Sequence, residues 1–326
     1  MSTTSLSTDE STRRFKLPSE AGVAIVLVVV LLYFSITLPD FRSEANLRLL
    51  VKQAAELAIV SAGMTLVIAT GGIDISVGSV MAFCAMTLGW LAVERGLPLP
   101  IACLAAIALG AACGALNGTL IARAKLPPII VTLAMYAAGS AAASMFNNGH
   151  SISGLPASFN EAFDRRNLLH LPVLFWLGLV TLALGAITLK FTGFGRRLLA
   201  LGGNRTAAHL SGLPVVRTEI MVYVISGALA GVAAVVNVAK QATATQGTGQ
   251  FMELTSITAV VLGGTVITGG RASLLGTALG VLTIGAIQSG VRLAGHEDQL
   301  AWFLVGVALL MAVEAQKWRS ASAGQT

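Results

Sequence analysis

The chain runs apolar again and again for lengths that few soluble folds use. A stretch of about 18 or more residues with few charges is long enough to cross a bilayer core, and such stretches recur from residue 21 to residue 315. Charged residues make up only 11% of the 326 positions, against roughly 25% in an average soluble domain. That is too little charge to cover a soluble surface of this size. Backbone groups in lipid have no water to bond, so spanning segments must satisfy their own hydrogen bonds, which helices do. The fold class expected is all-α: a polytopic transmembrane helical bundle.

Apolar length and flanking charge place about ten spans, at 21–38, 52–70, 77–93, 98–122, 128–146, 171–191, 219–239, 254–268, 274–293 and 298–315. A polar tail, 1–20, precedes this transmembrane domain of 21–316, and a short polar tail, 317–326, follows it. A polar stretch, 147–170, and a basic loop, 192–218, interrupt it. Arg13, Arg14 and Lys16 make the N-terminal tail basic, which places it on the cytoplasmic side. An even number of spans returns the C-terminus there. Arg123, Lys125, Arg196, Arg197, Arg205, Arg217 and Arg271 then share that side, while Arg42, Arg48, Lys52, Arg165, Arg166, Lys240 and Arg292 fall outside. The first apolar run is too long for a signal-peptide core, and no A-x-A site follows it. Arg13-Arg14 looks superficially like a twin-Arg signal; a positive-inside anchor is the plainer reading.

The net charge of +6 does not point to nucleic acid. Its basic residues sit at the ends of apolar runs, with no basic stripe interleaved with aromatics. Cys84, Cys103 and Cys113 lie in apolar runs at spacings that fit neither a zinc site nor a redox motif. The four histidines are scattered and suggest no metal site. Most of the 35 glycines are expected to serve close helix packing in lipid.

Three segments break the apolar pattern. In Thr70-Gly71-Gly72-Ile73-Asp74-Ile75-Ser76-Val77-Gly78-Ser79, two glycines end a helix and an acid follows within an apolar stretch. Such an acid is costly at membrane depth and is a functional candidate by default. Two readings coexist: Asp74 and Ser76 border a translocation path, or Asp74 caps the next helix by accepting the amides of Ser76 or Val77. The second segment, Gly263-Gly264-Thr265 through Gly269-Gly270-Arg271, breaks the other half of the chain. Interruptions in corresponding halves suit an inverted repeat of two five-helix units around a central path; ordinary packing glycines account for them as well. The third lies in the basic loop, where Asn204 is a good N-cap and Gly212 with Pro214 a good stop. The helix of about two turns between them is too short to stand alone. It is either a solvated positive loop or a docking helix.

No G-x-x-x-x-G-K-[ST], H-E-x-x-H or G-x-S-x-G occurs, so the chain carries neither an ATPase loop nor an obvious hydrolase motif. It does resemble the ribose-type permease family of ABC importers, the inner-membrane subunits that move monosaccharides and related small polyols. The resemblance rests on Gly71 to Ser79, on Gly203-Asn204-Arg205-Thr206-Ala207-Ala208-His209-Leu210-Ser211-Gly212, and on Ala259 to Thr265 leading to Gly269-Gly270-Arg271 and Gly276-Thr277. It covers about residues 45–295.

That resemblance implies a bacterial inner-membrane subunit with both termini cytoplasmic. It implies a periplasmic sugar-binding protein, a second permease chain, identical or sister, and a cytoplasmic ABC ATPase that uses the ATP. This chain would hold no cofactor of its own. Gly203, Asn204, Arg205, Ala207, Ala208, Ser211 and Gly212 would belong to a coupling helix seated on the ATPase. Gly72, Asp74, Ser76, Gly263, Gly264 and Thr265 are the candidate pathway positions. The chain departs from the family at Ala272, where glycine is common, at Ser289-Gly290, where Asn-Gly is common, and between Met135 and Ala143, which lacks an Arg-Gly pair. These departures bear on which sugar is carried more than on the fold. Two other classes stand as alternatives: an ion-gradient-driven secondary transporter with Asp74 as its ion site, and an intramembrane enzyme or scaffold.

Overall fold

The computed structural model describes residues 20–164, 167–168 and 171–323. The tail bearing Arg13 and Arg14, and the loop residues Arg165 and Arg166, lie outside the described residues. The helices are α1 (Ala21–Thr37), α2 (Glu44–Ala69), α3 (Val77–Gly89), α4 (Leu99–Ala122), α5 (Pro128–Met145), α6 (Ala157–Asp164) and α7 (Val173–Phe191). They continue as α8 (Gly193–Gly203), α9 (Arg205–Leu210), α10 (Val215–Gln241), α11 (Met252–Leu262), α12 (Leu274–Leu293) and α13 (Asp298–Ala323). A π-helical turn, Trp90–Glu94, extends α3.

The all-α expectation is met. Among the described residues, seven helices are long and apolar enough to cross a membrane, so the count of ten is not reached on that criterion. The clearest departure is the eighth expected span, 254–268. Only Met252–Leu262 is helical, which at 1.5 Å per residue reaches about 16 Å, short of a hydrocarbon core of about 30 Å. Hydropathy scores the residues after Leu262 as apolar but cannot see that Gly263 and Gly264 end the helix. Two starts also move. α2 begins at Glu44 rather than 52, because Ser43 accepts the Asn46 amide and caps it. α10 begins at Val215 rather than 219, directly after Pro214.

α2 is the buried axis, with every residue from Ala54 to Ala69 inside the protein. α10 and α3 are its largely buried companions, whereas α4, α5 and α7 keep apolar faces such as Ile101, Leu104, Leu184 and Ile187 on the outside. Hydrophobic gain does not hold helices together in lipid, so close approach of backbones has to do so. Gly110, Gly114 and Gly118 recur every fourth residue along α4 and meet Gly227, Gly231 and the Tyr223 backbone of α10. A Cβ at Gly114 would stand 2.0 Å from the Tyr223 carbonyl oxygen, and one at Gly110 2.3 Å from that of Gly227. The outer stretch after α5 folds back: Ile152–Ser153 pairs antiparallel with Thr243–Ala244, and the Asn160 amide donates to the Ala239 carbonyl at 3.0 Å.

Gly114→Val should therefore push α4 from α10 and cost on the order of 1–3 kcal/mol, the usual penalty of overpacking. Melting of the detergent-purified chain reads this out. Gly306→Val, with nothing within 4 Å of an added Cβ, should melt like the parent.

Candidate functional site

The two interrupted segments end their helices in the same way. At the end of α2, Gly71 (φ +81°) follows the cap residue Thr70. Its amide donates to the Ile68 carbonyl at 2.8 Å, and the Gly72 amide reaches back to Val67 at 3.2 Å. At the end of α11, Gly264 (φ +90°) follows Gly263. There the Gly264 amide donates to Val261 at 2.9 Å and the Thr265 amide to Val260 at 3.2 Å. This paired 5→2 and 6→1 bonding is the Schellman ending, which satisfies helix carbonyls that lipid would leave bare. Gln316 of α13 adds donors to the Val261 and Thr265 carbonyls, at 3.0 and 2.8 Å.

After Gly72 the chain turns into α3 around Asp74, which is 2% exposed. One carboxylate oxygen accepts the Ser76 amide at 3.1 Å and the Ser76 hydroxyl at 2.6 Å. The other accepts the Ser226 hydroxyl of α10 at 3.1 Å. Asn117 of α4 donates to Ser76 Oγ at 3.0 Å, and Thr132 of α5 donates to the Ile73 carbonyl at 3.3 Å. The turn from Ile73 to Ser76 is thus fastened to α5 through Ile73, to α10 through Asp74 and to α4 through Ser76. Gly72 leaves room for the Tyr223 hydroxyl, which an added Cβ would meet at 2.5 Å, and Gly263 lies backbone to backbone against Gly276 of α12.

The third segment joins the first two. Gly202, at the end of α8, is wedged between the breaks: a Cβ there would meet the Ala69 carbonyl oxygen at 2.0 Å and the Gly270 nitrogen at 2.6 Å. The Gly270 amide donates to the Ala69 carbonyl at 3.0 Å. Both Gly269 and Gly270 have positive φ, +87° and +79°, so the turn is one that glycine alone adopts freely. Beyond Gly203, Asn204 accepts the Ala207 amide at 2.9 Å and caps α9, which spans six residues. Gly212 (φ +75°) stops it in another Schellman ending. Ala208 is buried against Leu201, Leu213 and Val215, while Leu210, 81% exposed, projects outward. Arg205 pairs with Glu219 of α10 at 2.7 Å, tying α9 to the helix that also holds Ser226.

A polar cavity of about 330 Å³ lies toward the other end of the bundle. Glu56, on its wall, stands about 20 Å along α2 from Ala69 at 1.5 Å per residue. It accepts Lys240 at 2.5 Å and Asn237 at 2.8 Å, both from α10. Arg292 of α12 donates to Gln53 of α2. A second cavity of mixed lining, between α3 and α5, includes Ser79, Tyr136 and Ser140, and the loop from Gly247 to Gln250 borders both. Gly72, Asp74, Ser76, Gly263, Gly264 and Thr265 border neither; Gly264 lies instead on an apolar groove beside α1 and α13. The residues that sequence reasoning passed over are Glu56, Asn117, Gly202, Glu219 and Asn237. Polar groups isolated within apolar runs were the available signal for all but Gly202.

Residues 46–313 match the family described as the permease component of branched-chain amino acid transport systems. The chain is 35% identical to the fructose import permease of Rhizobium meliloti over 90% of its own length and 84% of that protein's. It is 33% identical to the ribose import permease of Bacillus subtilis over 98% and 100%. It is also 34% identical to an autoinducer 2 import permease of Escherichia coli over 90% of each. No solved structure gave a significant match. The chain belongs to this family of transport permeases and is a multi-pass membrane protein.

The Gly202 wedge yields a direct test. Gly202→Val should detach α8 and α9 from the breaks at Ala69 and Gly270 and raise amide exchange across residues 196–212 at least tenfold, equivalent to about 1.4 kcal/mol of lost protection. Exchange in α4 should not change. Unaltered exchange in 196–212 would count against the wedge.

Proposed function

We propose that the chain is the membrane-spanning subunit of a binding-protein-dependent ABC importer for a monosaccharide or related small polyol. It sits in a bacterial inner membrane with both termini cytoplasmic, pairs with a second permease chain, and receives its solute from a periplasmic binding protein. A separate cytoplasmic ATPase binds and hydrolyses the ATP. The observation that carries this reading is α9: a capped helix of six residues, too short to persist alone, held by Gly202 and by the Arg205–Glu219 pair with Leu210 turned outward. Such a helix is suited to carrying force between a docked motor and the bundle.

In this scheme Gly203, Asn204, Arg205, Ala207, Ala208, Ser211 and Gly212 form the seat of the ATPase. Motion there passes by two routes, through Gly202 to both breaks and through Glu219 to Ser226 and Asp74. Gly72, Asp74, Ser76, Gly263, Gly264 and Thr265 then act as hinges beside the path. Relatives named for ribose and fructose import support a sugar as cargo. So does the polar lining of the cavity at Glu56, which suits a polyol better than a branched aliphatic side chain.

Ala207→Pro removes the amide that Asn204 caps and drives Thr206 out of helical backbone, so α9 loses its start. In proteoliposomes holding the assembled transporter, solute uptake should fall at least tenfold while the chain still reaches the membrane. Uptake that persists in that variant, or that runs on an ion gradient without internal ATP, would falsify the coupling scheme.

A further inference from the structure

The cavity around Glu56 is more polar than packing requires. Glu56, Asn237 and Lys240 satisfy one another there, yet Lys240 has three donors, only one of which goes to Glu56. Gln250 and Gln288 also border the space, and among the described residues neither side chain has a hydrogen-bond partner in the protein. Gln288 is half-buried and Gln250 stands exposed on the loop before α11, so both amides are free to meet a solute that enters the cavity. Amide side chains both donate and accept, as a row of sugar hydroxyls does. Trp302 supplies an apolar face on the same cavity, with its ring 4.5 Å from that of Phe251. An indole face beside convergent polar groups fits the C–H face and the hydroxyl rim of a sugar ring.

We infer that this cavity, bounded by Glu56, Lys240, Gln250, Gln288 and Trp302, is a polyol-binding site inside each single subunit, at the end of the bundle away from α9. The inference rests on the reading of the chain as a polyol permease. Its site lies within one chain, walled by α2, α10, α12 and α13 and bordered by the loop at Gly247–Gln250. Because that loop also borders the cavity between α3 and α5, solute held on one side of it has a short route to the other. The Glu56–Lys240 pair spans α2 and α10, so hydroxyls that compete for either partner act on the two helices that meet the coupling end.

The test has two stages. The assembled transporter in proteoliposomes is first assayed for uptake of D-ribose, D-fructose, xylitol and L-leucine. If none of the three polyols is imported, the polyol reading fails and the site fails with it. The full chain alone, in lipid nanodiscs, is then titrated with the radiolabelled polyol that the transporter imports. Saturable binding is expected, weakened at least tenfold by Gln288→Leu or Trp302→Ala and unchanged by Leu310→Ala on the outer face. Gln250→Leu replaces either variant that does not elute as a single species. No binding of the imported polyol, equal binding by both site variants, or equal weakening by Leu310→Ala overturns the site and leaves the proposed import function standing.

Discussion

A helix that ends inside a protein must hide its last carbonyls, and this protein solves that problem twice in the same place. The carbonyl of Ala69 at the end of α2 accepts the amide of Gly270, so one break in the bundle is closed by the other. Gly202 is pressed into the same junction with no space for a side chain. Three segments far apart in sequence therefore share one backbone contact. Buried backbone groups need hydrogen-bond partners, and here each irregular segment shields its neighbour. α8 and α9 inherit their position from that junction, and α3 takes its start from the turn that leaves it.

α10 links this junction to the rest of the bundle. Its Glu219 holds Arg205, its Ser226 holds Asp74, and its Asn237 and Lys240 hold Glu56. Between these polar ties, Gly227 and Gly231 bring it against α4 with backbones touching. A helix tied at several points along its length and packed without side-chain padding moves as a unit.

Asp74 shows how two readings of one residue can share an atom. Its carboxylate accepts the Ser76 amide and hydroxyl, the local bonds of a cap, and it also accepts Ser226 from a helix 152 positions away. The local part followed from spacing: an acid two residues ahead of Ser76, after a glycine pair, is placed to meet free amides. The distant part did not, because nothing in the order of residues says that Ser226 and Asn117 face the same turn. Helix boundaries divide similarly. Ser43 is a cap that could have been read, but Glu44, Asn46 and Arg48 lower the hydropathy of the first turns of α2 and hid its start.

From the sequence alone came the membrane class, the glycine breaks, the capped helix at Asn204 and the resemblance that ties them to transport. All of these depend on local composition or on spacing along one segment, where apolar length, caps and positive-φ glycines act through near neighbours. The meeting of Ala69, Gly202 and Gly270, the shortness of α11, and the cavity built on Glu56 and Lys240 came only from the folded chain. Each depends on which faces of separate helices turn toward one another. In lipid that choice rests on close backbone fit and paired polar groups, and these have no signature until the partner is in place.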